Sequence, residues 1–248
     1  MTIVPFKSNH RNTWKGLSQI NQPEDLEDFL NEVVVGMGYR TAAYLTMDPI
    51  HEEPQREYPF FACTYSRKWI DRYLQEGYQS IDPVLQFGLN SLLPIPWDGS
   101  DFSTPKLRAF YLDSLKHGLG GLGLTLPIRG RRGERAVFTV TADGNPSFWA
   151  TRLNEQARDL QVLAYHVHEA SNRARGIEAP AVRLSRQEIA CLRSAGNGET
   201  AAQTAREMRL SVRTVRFYLD TARVKLESIN VTHAVTKAIE LGLLIPRR

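Results

Sequence analysis

LSRQEIACLRSAGNGETAAQTAREMRLSVRTVRFYLDTARVKL, residues 184–226, is the stretch whose reading decides the fold. Its helix boundaries are marked by their caps. Ser185 and Glu188 have the spacing of a capping box, in which each side chain accepts from the other's backbone amide. Thr200 and Gln203 repeat the device. Gly196-Asn197-Gly198 lies between these two helices and supplies the positive φ of a tight reversal. Ser211 is the expected N-cap of a third helix and Thr232 that of a fourth. Ile189, Leu192, Ala205, Met208, Leu210, Val215, Leu219, Leu226, Val235 and Ile239 are the expected buried positions. The third helix, residues 212–226, sets Arg213, Arg216, Arg223 and Lys225 opposite Val215, Leu219 and Ala222. Such a helix, preceded by a short one and a tight turn, is built to enter the major groove of duplex DNA. Arg216 would bond a guanine edge, and Thr200, Arg213, Thr214 and Arg223 would hold phosphates. A merely solvated basic face is the competing reading, and the short helix and cap spacing count against it.

Charge supports a divided chain. The 248 residues carry a net charge of +4, but 14 Lys and Arg face only 7 Asp and Glu from Ser171 onward. The preceding part is mildly acidic, with 17 basic and 20 acidic residues. One module avoids polyanions and the other seeks them. The length suits two domains, and 42% apolar with 23% charged residues is ordinary globular composition. Ser171, Asn172, Gly176 and Pro180 break any apolar period, so the reading is a domain over 1–170, a linker over 171–183 and a second domain over 184–248. No run is long and apolar enough for a membrane helix, and the polar start to Asn21 has no signal-type apolar core. A cytoplasmic protein with Cys63 and Cys191 free and buried is expected.

The first part alternates helical and strand patterns. A helix follows Pro23-Glu24-Asp25, carries Leu26, Phe29, Leu30 and Val33, and ends at Gly36 or Gly38. Residues 42–47, 59–63, 122–128 and 136–141 read as strands, the last two joined by the turn 130–134. Residues 66–77, 106–116 and 153–170 read as helices, and Asp82 caps a further one beginning at Pro83. This pattern implies an α+β class, with an antiparallel sheet flanked by helices. The helix over 153–170 either covers this sheet or forms an interface.

Catalysis finds no support. His166 and His168 stand two apart on a helix and face different ways, a poor metal pair. His51 with Glu52 and Glu53 sits in a polar loop, and neither a phosphate loop nor a nucleophile elbow is present. No catalytic residue, metal or cofactor is assigned. What stands out instead is Tyr65, Trp69 and Tyr73 at four-residue steps, followed by Tyr78, Asp82-Pro83-Val84 and Trp97. Spacing alone leaves two readings, core packing or a pocket wall.

The carboxy-terminal motifs, Leu184-Ser185-Arg186-Gln187-Glu188, Leu192, Gly198-Glu199-Thr200, Leu210-Ser211, Thr214-Val215, Lys225-Leu226, Ala234-Val235 and Gly242-Leu243-Leu244, closely resemble the LuxR-type four-helix DNA-binding domain. The resemblance places Arg216, Phe217 and Asp220 toward base edges, and departs from the family at Glu199, Gln203 and Tyr218. This domain is also appended to phosphorylated receivers, but the acids and Lys of a receiver are not found around Asp48. The stretch from Tyr65 to Trp97, with Phe110-Tyr111, Gly118-Leu119, Thr125-Leu126-Pro127-Ile128 and Gly133-Glu134, is similar to the autoinducer-binding domain of quorum-sensing members. That resemblance implies an N-terminal α/β/α sandwich on an antiparallel sheet, and an N-acyl homoserine lactone as ligand. Asp82 would accept from the ligand's amide N–H, and Trp69 would donate to its lactone carbonyl. Tyr65, with Thr139, would serve the acyl carbonyl, and Tyr73, Trp97, Phe110 and Leu119 would wall the chamber. The implied partners are double-stranded DNA, a small-molecule autoinducer and a second copy in a homodimer on a palindromic site, with RNA polymerase as a candidate. The rival within the family is an orphan or ligand-independent regulator, or one sensing another small molecule.

Overall fold

The computed structural model describes residues 16–47, 59–130, 133–177 and 182–244. Most of the polar start, Asp48, the His51-Glu52-Glu53 loop, Arg131-Arg132 of the hairpin turn and linker residues 178–181 lie outside the described residues. The chain divides into two compact units after Ile177.

The first unit is a layered α+β structure. Helix α1 (Asp25–Met37) stops at Gly38, whose φ of 68° is open to a residue without Cβ. Strands β1 (Thr41–Met47), β2 (Phe60–Cys63), β3 (Ile95–Trp97), β4 (Leu122–Arg129) and β5 (Arg135–Ala142) form one antiparallel sheet in the order β2-β1-β5-β4-β3. Strand β3 was not expected. It is three residues long with Pro96 at its centre, and its place at the sheet edge is where a strand proline is tolerated. Alternation along the strands gives the two faces different fates. Tyr44, Leu124, Leu126, Ile128, Phe138 and Val140 join α1 and the long helix α5 (Pro146–Ala174) in one solid core. Helix α5 begins earlier than expected because Asn145 accepts from the Ser147 amide and Pro146 suits a first turn. It ends at Ala174, four residues into the stretch expected as linker. Leu160, Leu163, Ala164 and Val167 lay it on its own sheet.

The opposite face carries small side chains. Pairing registers align Cys63, Ala43, Thr139, Thr125 and Ile95 in one row across all five strands. Beside this row, Trp97 pairs with Gly123, and a Cβ on Gly123 would stand 2.0 Å from the indole ring. Only glycine there lets Trp97 lie across β4. Helices α2 (Arg67–Gln75) and α4 (Pro105–Lys116) carry aromatic side chains of this half, and α3 (Pro83–Gly88) lies beside them. Cys63 and Cys191 are free and buried, as expected.

The second unit is all helical: α6 (Arg186–Gly196), α7 (Ala201–Met208), α8 (Val212–Lys225) and α9 (Val231–Glu240). Both capping boxes form, and Ser211 caps α8. Of the turn residues after α6, Gly198 takes the positive φ, while Gly196 stays helical. Two expectations are corrected. Asn230, not Thr232, caps α9, because its side chain accepts from the His233 amide at 2.8 Å and starts the helix two residues sooner. Ile239 is 61% exposed; Ala234 and Ala238 face the core instead, and their small side chains let α9 pack closely. No described helix is long and apolar enough to cross a membrane.

The α7–α8 turn rests on Arg209, a non-glycine residue at φ 55°, while the Leu210 amide reaches back to the Ala205 carbonyl at 2.9 Å. Left-handed backbone costs a side-chain-bearing residue about 1 kcal/mol or more, most for a β-branched one. Urea denaturation should therefore find Arg209→Gly as stable as the parent, or more so by up to about 1 kcal/mol. Arg209→Val should lose about 1–2 kcal/mol by the same measurement.

Candidate functional site

The aromatic half of the first unit is assembled from helix caps outward. Ser66 caps α2 by accepting from the Trp69 amide, which turns the Trp69 ring inward to 2% exposure. The ring meets Tyr73, Tyr78 and Phe110 at centroid distances of 5.9, 5.8 and 6.1 Å. Asp113 on α4 fixes the helices around it. Its carboxylate accepts from Arg72 and from the Tyr78 hydroxyl, each at 2.9 Å. Burial pushes the Asp113 carboxyl up, but those two hydrogen bonds bring it below its ordinary value. Tyr65, Trp69, Tyr73, Trp97, Phe110 and Leu119 all belong to this one cluster.

Asp82 is the polar exception within it. It caps α3, accepting from the Val84 amide at 2.8 Å, and it accepts from the Tyr73 hydroxyl at 2.9 Å. Burial pushes its carboxyl up to about 6, and these hydrogen bonds only partly offset that. A carboxylate has about four acceptor sites, so room for a further donor remains. Burial and the neighbouring Cys63 and Asp82 hold the Tyr65 phenol far above its ordinary range. Tyr65 nevertheless keeps some accessible area. Neither the Tyr65 hydroxyl nor the Trp69 indole N–H has an acceptor among the described residues. The geometry therefore sets two free donors and one anionic acceptor in a greasy wall. That arrangement suits a small amphiphile with carbonyls and an N–H or O–H.

Thr139 reaches this region through Thr125, which the sequence offered only as part of a family motif and not as a site residue. Its hydroxyl donates to Thr125 Oγ1 at 3.2 Å, and the Trp97 indole N–H donates to the same oxygen at 3.0 Å. The available signal was strand alternation, which puts Thr125 and Thr139 in register on one face. A separate open depression of about 470 Å³, lined by Pro23, Glu27, Phe60 and Arg175, lies at the β2 edge and contains none of these residues. His168 is buried and bonds Tyr44 at 2.7 Å, while His166 is exposed; among the described residues no cluster fit for a metal ion occurs.

On the second unit, α8 exposes Arg213, Arg216, Phe217 and Asp220 at i, i+3, i+4 and i+7. Phe217 is 64% exposed, an unusual state for an aromatic ring with no role outside the fold. Thr214 is half-buried and its amide is capped by Ser211. The Thr200 hydroxyl is engaged by Gln203 at 2.7 Å. Arg223 binds Asp220 at 2.8 Å and the Ser228 carbonyl at 3.0 Å, which neutralises the one acid on this face. Lys225, read as part of the basic decoration, instead donates to both Glu188 oxygens at 2.8 and 2.9 Å and ties α8 to α6.

Residues 22–171 match the autoinducer binding domain, and residues 182–238 match the bacterial regulatory proteins of the luxR family. The transcriptional activator RaiR of Rhizobium etli is 37% identical over 192 residues, 77% of this chain and 76% of RaiR. Among solved structures, Escherichia coli SdiA superposes with a TM-score of 0.68 at 20% identity, covering 96% of this chain and 98% of that one. SdiA has also been solved with octanoyl-rac-glycerol. The N-acylhomoserine lactone-dependent factor CepR2 of Burkholderia cenocepacia follows at TM-score 0.53 and 20% identity, covering 66% of this chain and 94% of that one. With both halves matched and the fold shared, the chain belongs to the LuxR family of quorum-sensing transcription regulators, non-enzymatic proteins that join an autoinducer-binding domain to a DNA-binding helix-turn-helix.

Proposed function

We propose that the ligand is an N-acyl homoserine lactone, and that its binding stabilises a homodimer able to grip a palindromic promoter site. One observation carries the reading: a buried carboxylate with acceptor capacity to spare stands among donors that have no acceptor of their own. Asp82 takes the ligand's amide N–H, Trp69 donates to the lactone carbonyl and Tyr65 to the acyl carbonyl. Tyr73, Trp97, Phe110 and Leu119 enclose the ring and chain, with Thr139 behind them. The lactone dependence stated for CepR2 supports the choice. A hydrogen bond to a charged group contributes roughly 1.5–3 kcal/mol, and an uncompensated buried charge costs more. Ligand at 100 times its Kd adds about 2.7 kcal/mol to the folded state. The empty protein is thus the weaker fold, and ligand raises the population that binds DNA.

On DNA, Arg216, Phe217 and Asp220 face the bases. Arg213, Thr214 and Thr200 meet the backbone, and Arg223 does so from its anchorage on Asp220. Two copies whose recognition helices lie one turn apart read a two-fold site. Exposed Val224, Ile229 and Ile239 on this unit are apolar surface that a second copy would cover. RNA polymerase is the partner through which an activator of this kind would work in the cytoplasm.

Thermal melts against a panel of acyl lactones should raise Tm of the parent protein. Asp82→Asn should lose most of that shift; an equal shift in the variant would remove Asp82 from the site. The carboxyl value raised to about 6 also sets a pH dependence. Ionising Asp82 costs the empty fold, a cost absent below the ordinary carboxyl value of 3.8 and complete above about 6. The lactone N–H favours the ionised form. Affinity should therefore be full above pH 6 and fall as pH drops through it, whereas Asp82→Asn should be flat, as followed by calorimetric titration. For the DNA half, Arg216→Ala should lower affinity for the palindrome by about 1–3 kcal/mol and relax selectivity at one base position. Equal loss on random duplex would make Arg216 a phosphate contact instead.

A further inference from the structure

Asp220 stands on the face of α8 that also exposes Arg213, Arg216 and Phe217, away from the buried Val215 and Ala222. A lone carboxylate on that face would be repelled by a polyanion. Arg223, three residues on, removes the repulsion: it donates from Nε at 2.9 Å and from Nη2 at 2.8 Å. Both contacts fall on the same oxygen, Oδ1. Arg223 is held from its other side as well, because its Nη1 donates to the carbonyl of the buried Ser228 at 3.0 Å. The pair is therefore neutral and anchored, and one carboxylate oxygen is spare. Oδ2 has no donor among the described residues, and the Asp220 side chain is 67% exposed.

An inference follows that rests on the reading of α8 as the helix that enters the groove. An ionised carboxylate accepts hydrogen bonds and cannot donate them. In the major groove only cytosine and adenine offer it a proton, from their N4 and N6 amino groups. Guanine and thymine present acceptors there, which repel it. Adenine sets its N7 acceptor beside the amino group, whereas cytosine has no acceptor beside N4. We propose that Asp220 reads a cytosine through Oδ2 while Arg223 holds Oδ1. Asp220 follows Arg216 by four residues, which is about 6 Å along the helix axis. Base pairs are stacked about 3.4 Å apart, so the two side chains serve pairs no more than about two steps apart. The target is a half-site with a guanine for Arg216 and a cytosine close beside it for Asp220.

The test is selection of duplexes from a random pool by the full-length protein, with acyl lactone present and absent, followed by competition binding on the selected sequence. The position that responds to changes at Asp220 should demand cytosine in the parent, with a loss of about tenfold or more for any other base. N4-methylcytosine there should cause a similar loss, because the methyl group replaces the groove-facing proton and leaves the pairing with guanine intact. Asp220→Asn sets a donor beside an acceptor and should change the preference at that position from cytosine to adenine. Asp220→Ala should abolish the preference there and leave the guanine position as it was. A parent that demands another base at that position overturns the inference, as does indifference to N4-methylation. Selected sites that depend on Arg216 but are the same for the parent, the asparagine and the alanine variants reduce Asp220 and Arg223 to a surface ion pair and leave α8 as the reader. No enrichment of any sequence, or enrichment that Arg216→Ala does not alter, overturns that reading of α8, and this inference with it.

Discussion

A carboxylate that is only 8% exposed is the constraint on which the sensing unit depends. Asp82 is held there by its local role: it caps α3, and Pro83 behind it pre-sets the first turn. That cap directs the charge inward instead of toward solvent, and the Tyr73 hydroxyl accompanies it. Two hydrogen bonds do not restore what water gave the ion, and the raised pKa is the measure of the deficit. A ligand donor placed on the remaining lone pairs therefore does more here than the same bond would on a surface. Local capping and burial are one arrangement seen at two scales, and the proposed ligand recognition would be a third.

The two faces of the sheet carry different side chains. One face is filled by Tyr44, Phe138 and a run of leucines against α1 and α5. The other presents a row of small side chains, Cys63, Ala43, Thr139 and Thr125, with Gly123 beside it. The end of α3 packs closely on this face: a Cβ on Gly88 would stand 2.8 Å from the side chains of Thr125 and Val137. Asp113 holds α4 to Arg72 of α2 and to Tyr78, so the roof is fixed at its rim by charge while its interior stays apolar.

What the sequence made legible was what is locally encoded. Capping boxes at Ser185 and Thr200 are decided within four residues, and both form. The α9 start was misread because Asn230 and Thr232 are both good caps and the earlier one acts. Ile239 was misread because helical period does not say which apolar residue is buried when alanines permit a closer approach. Strand β3 was missed because three residues with a central proline carry no alternation. Spacing and resemblance together pointed to the aromatic residues and Asp82, and the fold brings the aromatics into one cluster with Tyr73 bonded to Asp82. They did not single out Thr125, since its partners stand 28 and 14 residues away and only pairing register unites them. Lys225 with Glu188, 37 residues apart, was hidden for the same reason.

The DNA unit shows how a net basic charge is divided between folding and binding. Lys225 is consumed by Glu188 and Arg223 is shared with Asp220, which leaves Arg213 and Arg216 as the exposed cations at the start of α8. In the other unit, a crystal structure of the protein grown with saturating acyl homoserine lactone tests the proposed role of Asp82 most directly. The ligand's amide nitrogen should lie within hydrogen-bond distance of the Asp82 carboxylate, and its lactone carbonyl should accept from the Trp69 indole N–H. A headgroup seated elsewhere, with Asp82 bonded only to Tyr73 and its own helix, would contradict that role.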